Sequence, residues 1–258
     1  MNLILFSMEN WTVFLVILAR TAAIIGSMPI FTSAHAAVKL RIGVAVTVSL
    51  LLFPVLDLSL PEYGSSPLGL GLIIIQETLL GLILGFITQL IFFAVQFGGT
   101  IVGYQMGFAA ANILDPQHQQ QVPLLSQFQN IFAILIFLAL NIHHIIFQVM
   151  VHSYRVLPPG DLDVSGRAIP FIMQTTGEMF VLGLQLIAPI MLVLMLSMFI
   201  LGIMSRVFSQ LQVFMLSFPI NISLALILIG LSMEMVLILL EQEFTGLEDR
   251  LLRLLHMM

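Results

Sequence analysis

The run TLLGLILGFITQLIFFAVQFGGTIVGYQMGFAAANIL, residues 78–114, contains no Asp, Glu, Lys or Arg, and it decides the fold class. A helix that crosses a bilayer needs about 20 mostly apolar residues, and this run has room for one. Three more charge-free runs, residues 116–154, 179–205 and 207–233, have room for one each. Of the 258 residues, 60% are hydrophobic and only 8% charged, whereas an ordinary soluble domain carries about 25% charged residues. The chain therefore reads as an all-α integral membrane protein. Six long hydrophobic helices are expected, over residues 11–33, 42–60, 68–98, 125–150, 178–205 and 212–240. Pro29 is expected to break the first, because proline removes a helical N–H and clashes with the preceding turn.

Charge and cysteine content narrow the function. The net charge of −5 comes from 8 basic and 13 acidic residues with no basic patch, which disfavours nucleic acid, whose binding rests on Lys and Arg at phosphates. The absence of cysteine removes disulfides, thiol chemistry and Cys-based metal sites. The first basic residue is Arg20, inside the first apolar run. Ala34-His35-Ala36 imitates a cleavage site, but what precedes it is too long and wrongly charged for a signal peptide, so an uncleaved first helix is expected. With six spans, Arg155, Arg167, Arg250 and Arg253 would face Lys39, Arg41 and Arg206 across the membrane, a bias too small to set orientation. Residues 1–240 read as the membrane-embedded helical domain. Residues 241–258, where Glu241, Glu243, Glu248, Asp249, Arg250 and Arg253 alternate with leucines, read as an amphipathic tail for a membrane surface, a partner or solvent.

The stretch from Gln96 to His144 carries features that a lipid-facing helix does not use. Glycine recurs in it at Gly99, Gly103 and Gly107, after Gly81 and Gly85 in the preceding helical run. Four-residue spacing puts small residues on one helix face and lets a neighbouring backbone approach; a hinge is the other reading. Past the glycines come Tyr104-Gln105-Met106, then Asp115-Pro116, Gln117, Gln119, Gln120, Gln121 and Pro123. Residues 99–124 are too polar for lipid and too apolar for an open loop. Backbone and amide groups at membrane depth are tolerated only inside protein or along a wet cavity, so function is expected here.

Five ionisable residues fall in the apolar segments: Arg20, Glu77, Glu178, Arg206 and Glu234. Charges in a bilayer are costly and tend to pair in the protein interior; a proton or ion relay through the glutamates is the competing reading. His143, His144 and His152 lack carboxylates at ligand spacing, so no metal is expected. No GxSxG, HExxH or GxxxxGK[ST] pattern occurs. Neither a catalytic residue nor a cofactor is assigned.

The chain resembles the FliR family, the R subunit of the flagellar type III protein export gate, over nearly its whole length. The resemblance rests on Glu77 with Gly81 and Gly85-Phe86, on Gln96-Phe97-Gly98-Gly99, on Tyr104-Gln105-Met106-Gly107-Phe108 and on Asp115-Pro116. Pro123 with Gln127, Phe137-Leu138, Asn141-Ile142-His143, Ser153, Arg20, Pro29 and Lys39-x-Arg41 also fit, as do Ser205-Arg206, Gln210, Val213-Phe214 and Phe218-Pro219. Ser209 and Gln212 depart from it, since the family usually has proline before Gln210 and asparagine two residues after it.

The resemblance implies a multi-pass protein of the bacterial inner membrane within the flagellar basal body. It implies one copy packed helically with five copies of a P-type subunit and four copies of a Q-type subunit. The B and A components would dock from the cytoplasmic side, and unfolded flagellar proteins would pass through the pore. A loop of the R subunit would help close that pore, mapped here to residues 106–123. Phe108, Ile113 and Leu114 would exclude water, the amides of Gln117 and Gln119 to Gln121 would bond neighbouring loops or substrate, and Met106, Gly107, Asp115, Pro116 and Pro123 complete the segment. A static connector between subunits is the alternative for the loop. For the whole chain the alternatives are a virulence injectisome homologue and an ion-coupled small-molecule transporter.

Overall fold

The computed structural model describes residues 8–32, 37–56, 58, 60, 61, 64, 66–107, 124–163, 166–207 and 213–258. The elements are α1 (Met8–Ser27), α2 (Pro29–Thr32), α3 (Val38–Leu52), α4 (Pro67–Gln105) and α5 (Leu124–Ala139). They continue with α6 (Ile142–Val156), α7 (Ala168–Val207), α8 (Val213–Thr245) and α9 (Leu247–Leu255). No strand occurs among the described residues.

Four stretches are long and apolar enough to cross a membrane: Asn10–Ser27, Pro67–Gln105, Ala168–Val207 and Ser217–Leu255. A fifth is added if the bent pair α5–α6 counts as one. The expected count of about six is thus matched approximately, with four or five such stretches among the described residues. The segment expected over residues 42–60 yields only the 15 residues of α3; the helix stops short of Pro54, which has no N–H to extend it.

Local chemistry explains the other boundaries. α1 ends at Ser27 and α2 begins on Pro29, a residue suited to the first helical position, so the break falls where proline put it. α4 runs to Gln105, beyond the expected end near residue 98, and past that point Gly99 packs against the Ser126 backbone. It stops at Gly107, whose φ is +91° and whose N–H donates to Tyr104 O at 3.0 Å, a left-handed stop that glycine adopts without strain. The single segment expected over residues 125–150 is bent by 67° between α5 and α6. The turn is made at Asn141, with φ 56° and ψ 28°; asparagine is among the few residues that enter this region readily.

The chain divides into two compact units. Unit 1 comprises Met1–Leu90, Asn141–Thr176 and Phe244–Met258. In it α1 packs along α3, and α9 packs on α6. α9 buries Leu247, Leu251, Leu254 and Leu255, three and four residues apart as an amphipathic helix requires, and leaves Asp249 and Arg253 exposed. The Asp163 N–H donates to Met258 O at 3.0 Å.

Unit 2 comprises Ile91–Leu140 and Gly177–Glu243. Aromatic pairs join α4 to α5 in the core and α4 to α7 nearer the surface. Phe92 meets Phe137 edge to face at 5.6 Å between centroids, and Phe97 meets Phe180 at 5.3 Å.

Candidate functional site

In unit 1 one face of α4 presents Glu77, Gly81, Gly85 and Gln89, each four residues after the last, so they stack one above another. All four engage α1. Glu77 takes the Arg20 side chain: Arg20 Nη2 donates to Glu77 Oε1 at 2.9 Å and Nε donates to Oε2. A Cβ added at Gly81 would sit 2.7 Å from both Arg20 O and Ala23 Cβ, so the two helix backbones touch there. A Cβ at Gly85 would overlap Ser27 Oγ. Gln89 Nε2 then donates to Ser27 O at 2.6 Å. That carbonyl closes α1, where the last turn leaves acceptors without helical partners.

The Arg20 guanidinium is held by more than its carboxylate. Nη1 donates to Ser153 Oγ at 3.0 Å and Nη2 donates to Leu157 O at 3.0 Å. The Tyr154 ring lies against it, 4.1 Å from Cζ to the centroid. Tyr154 Oη in turn donates to Ile17 O at 3.1 Å, and Ser153 Oγ to Met150 O at 2.7 Å. Arg20 is 0% exposed and Glu77 1%. The planar fork of arginine matches a carboxylate through two bonds and still offers donors to other groups, which is how one side chain ties α1, α4 and α6 together. The carboxylate is committed to Arg20 and both hydroxyls donate to backbone carbonyls, an arrangement that positions helices.

In unit 2 close approach again falls on glycines. A Cβ at Gly98 would stand 2.9 Å from Gly183 O, and one at Gly183 would stand 2.9 Å from Ala94 O, so α4 and α7 cross backbone to backbone. A Cβ at Gly99 would stand 2.6 Å from Ser126 Cα. Three residues earlier on α4, Gln96 Nε2 donates to Asn130 Oδ1 at 3.0 Å. α4 and α5 thus run antiparallel, and the residues that join them start and finish at one end of the pair. Met106 is buried, and a Cβ at Gly107 would run into the Phe218 ring. Elsewhere Ser197 Oγ donates to the buried Asn221 Oδ1 at 2.7 Å.

The remaining sequence-derived residues are scattered or undescribed. Phe108, Ile113, Leu114, Asp115, Pro116, Gln117, Gln119, Gln120, Gln121 and Pro123 lie outside the described residues. A Cβ at Gly103 would meet nothing within 4 Å among the described residues, unlike Gly81, Gly85 and Gly99. Glu178, Arg206 and Glu234 are exposed on α7 and α8. The His143 and His144 rings lie 4.3 Å apart, and no group of three or more potential metal ligands gathers among the described residues. Sequence reasoning missed Tyr154, Gln89, Asn130, Asn221 and Gly183. The last had a weak signal, since an isolated glycine inside a helical pattern costs about 1 kcal/mol relative to alanine.

The family model of bacterial export proteins, family 1, matches residues 11–247. The chain is 31% identical over 245 residues to the flagellar biosynthetic protein FliR of Pectobacterium carotovorum subsp. carotovorum, across 95% of this chain and 93% of that protein. FliR of Bacillus subtilis (strain 168) is 29% identical over 245 residues, across 90% of each. FliR of Escherichia coli (strain K12) is 28% identical over 220 residues, across 85% of this chain and 83% of that protein.

Proposed function

Because the chain belongs to the FliR family of bacterial export proteins, we infer that it is a multi-pass inner-membrane subunit of the flagellar export apparatus. Its task is structural. It contributes one copy to a protein-conducting pore built with P-type and Q-type subunits, five and four copies respectively, on which the B and A components dock. Unfolded flagellar proteins pass through that pore, and residues 106–123 plug it.

One observation supports the plug most directly. The α4–α5 pair is pinned by Gly99 against Ser126 and by Gln96 bonded to Asn130. Gly107 closes α4 against Phe218, and the preceding Met106 is buried. A segment whose two ends are fixed on one rigid hairpin can be displaced without unfolding its supports. The exposed apolar flanks fit an assembly: only 28% of the apolar window in Ala168–Val207, and 11% of that in Ser217–Leu255, is buried within the chain.

The test is purification of a tagged chain from flagellated cells. Small P-like and Q-like membrane subunits should elute with it in unequal copy number, and the chain should restore export to a strain lacking its own R subunit. A chain that elutes alone and restores nothing would overturn the reading.

A further inference from the structure

On α8 the residues Ile227, Leu231, Glu234 and Ile238 follow at intervals of three or four and are all exposed, so they form one stripe along the helix. Leu231 is 76% exposed and Ile227 62%. Gly230 adjoins the stripe, and a Cβ there would meet nothing within 4 Å. From residue 213 to residue 240 Glu234 is the sole charged side chain. Among the described residues the buried Arg20–Glu77 pair is far from lipid, whereas the exposed Glu234 has no cation beside it. A carboxylate on an apolar membrane helix is costly against lipid and normally faces protein, where it pairs. An open glycine beside it lets a second helix backbone come close.

We propose that this stripe is the docking face for a transmembrane helix of a partner subunit, and that the helix carries a lysine or arginine opposite Glu234. Gly230 sets the closeness of the two backbones, and Leu231 and Ile238 flank the ion pair and keep water from it. The choice of a basic helix follows from charge complementarity, since neither lipid tails nor another apolar helix compensates the carboxylate. The proposal rests on the reading of the chain as an export-apparatus subunit.

The test places a photoreactive amino acid at Leu231 or at Ile238 of the full chain in native membranes. The expected adduct is with a partner subunit, and its crosslinked peptide contains Lys or Arg. Glu234→Lys should lower the adduct yield at least ten-fold, as should Gly230→Leu, which alters no charge. If those variants fail to accumulate, the unsubstituted Glu234 chain still decides through the identity of its adduct. The native chain has no cysteine, so Glu234→Cys supplies a single thiol that should resist a membrane-impermeant maleimide in the assembled complex. Adducts with lipid alone, a crosslinked peptide without a basic residue, or rapid maleimide labelling would each overturn the proposal. An adduct with a basic helix of a protein unrelated to export would keep the docking face and overturn the functional reading instead.

Discussion

Arg20 and Glu77 are 57 residues apart in sequence and meet side by side, buried, through the Nε and Nη2 edge of the guanidinium. Around that pair α1, α4 and α6 are fixed relative to one another, with Ser153, Leu157 O and the Tyr154 ring taking up the rest of the arginine. Removing two charges from water largely cancels their attraction. Such a pair is therefore a weak source of net stability and a strong constraint on geometry.

The first prediction follows from that asymmetry. Glu77→Gln or Arg20→Ala leaves one partner buried without its counter-charge and should cost about 3–5 kcal/mol. Arg20→Lys should also destabilise, because a point-like ammonium cannot reach the carboxylate, Ser153 and Leu157 O together. The combined Arg20→Met and Glu77→Leu replacement should recover most of the loss. Thermal unfolding of the purified chain checks all four. A Glu77→Gln protein as stable as the parent would refute the account.

The glycines give a second prediction, graded by position. Gly81→Ala forces a Cβ against the Arg20 carbonyl, and Gly85→Ala forces one into Ser27. Overpacking of this kind costs typically about 1–3 kcal/mol. Ser27→Gly should relieve Gly85→Ala and do nothing for Gly81→Ala. Gly103→Ala meets open space among the described residues and should be neutral, or stabilising by up to about 1 kcal/mol through helix propensity. The readout is again thermal stability, and equal losses at all three positions would contradict the packing described.

Composition and periodicity made the fold class readable, since charge-free runs admit little else than membrane helices. Pro29 fixed a break for a reason local to its own ring. The bend at Asn141 was not readable, because Leu140-Asn141-Ile142 lies inside one apolar run and asparagine is also compatible with a continuing helix. The spacing of Gly81 and Gly85 announced a packing face but not which helix it meets. Arg20, Glu77 and Tyr154 were each visible as residues. Their meeting depends on how α1, α4 and α6 assemble, which no sequence interval encodes. Gly183 was passed over because its partner, Gly98, lies on another helix.

Asn141 supports a third prediction. With φ 56° it occupies a conformation that costs most L-residues roughly 1–2 kcal/mol. Asn141→Gly should therefore be neutral or slightly stabilising. Asn141→Val should lose about that amount, or should straighten the 67° bend between α5 and α6. A distance measured by spin labels placed on the two helices separates the two outcomes, and an unchanged stability and distance in Asn141→Val would count against the turn.

The last prediction concerns the end of the hairpin. Gly99 against Ser126 and Gln96 bonded to Asn130 lock α4 to α5 before the helices reach residues 108–123, so shortening that segment leaves the lock in place. Deleting residues 110–120 should consequently preserve assembly with the other subunits. If the segment plugs the pore, the assembled complex should then pass ions or small solutes that the parent complex excludes, because an apolar constriction seals by keeping water out. Conductance in a planar bilayer, with subunit composition measured on the same preparation, reads both properties. A deletion that assembles normally and stays tight would assign the segment to a static connection between subunits. Gln96→Leu supplies the opposite case: it breaks the bond to Asn130 without shortening the segment, and should loosen the α4–α5 pair by about 1 kcal/mol. Leakage in Gln96→Leu alone would mean that the barrier depends on the hairpin more than on residues 110–120.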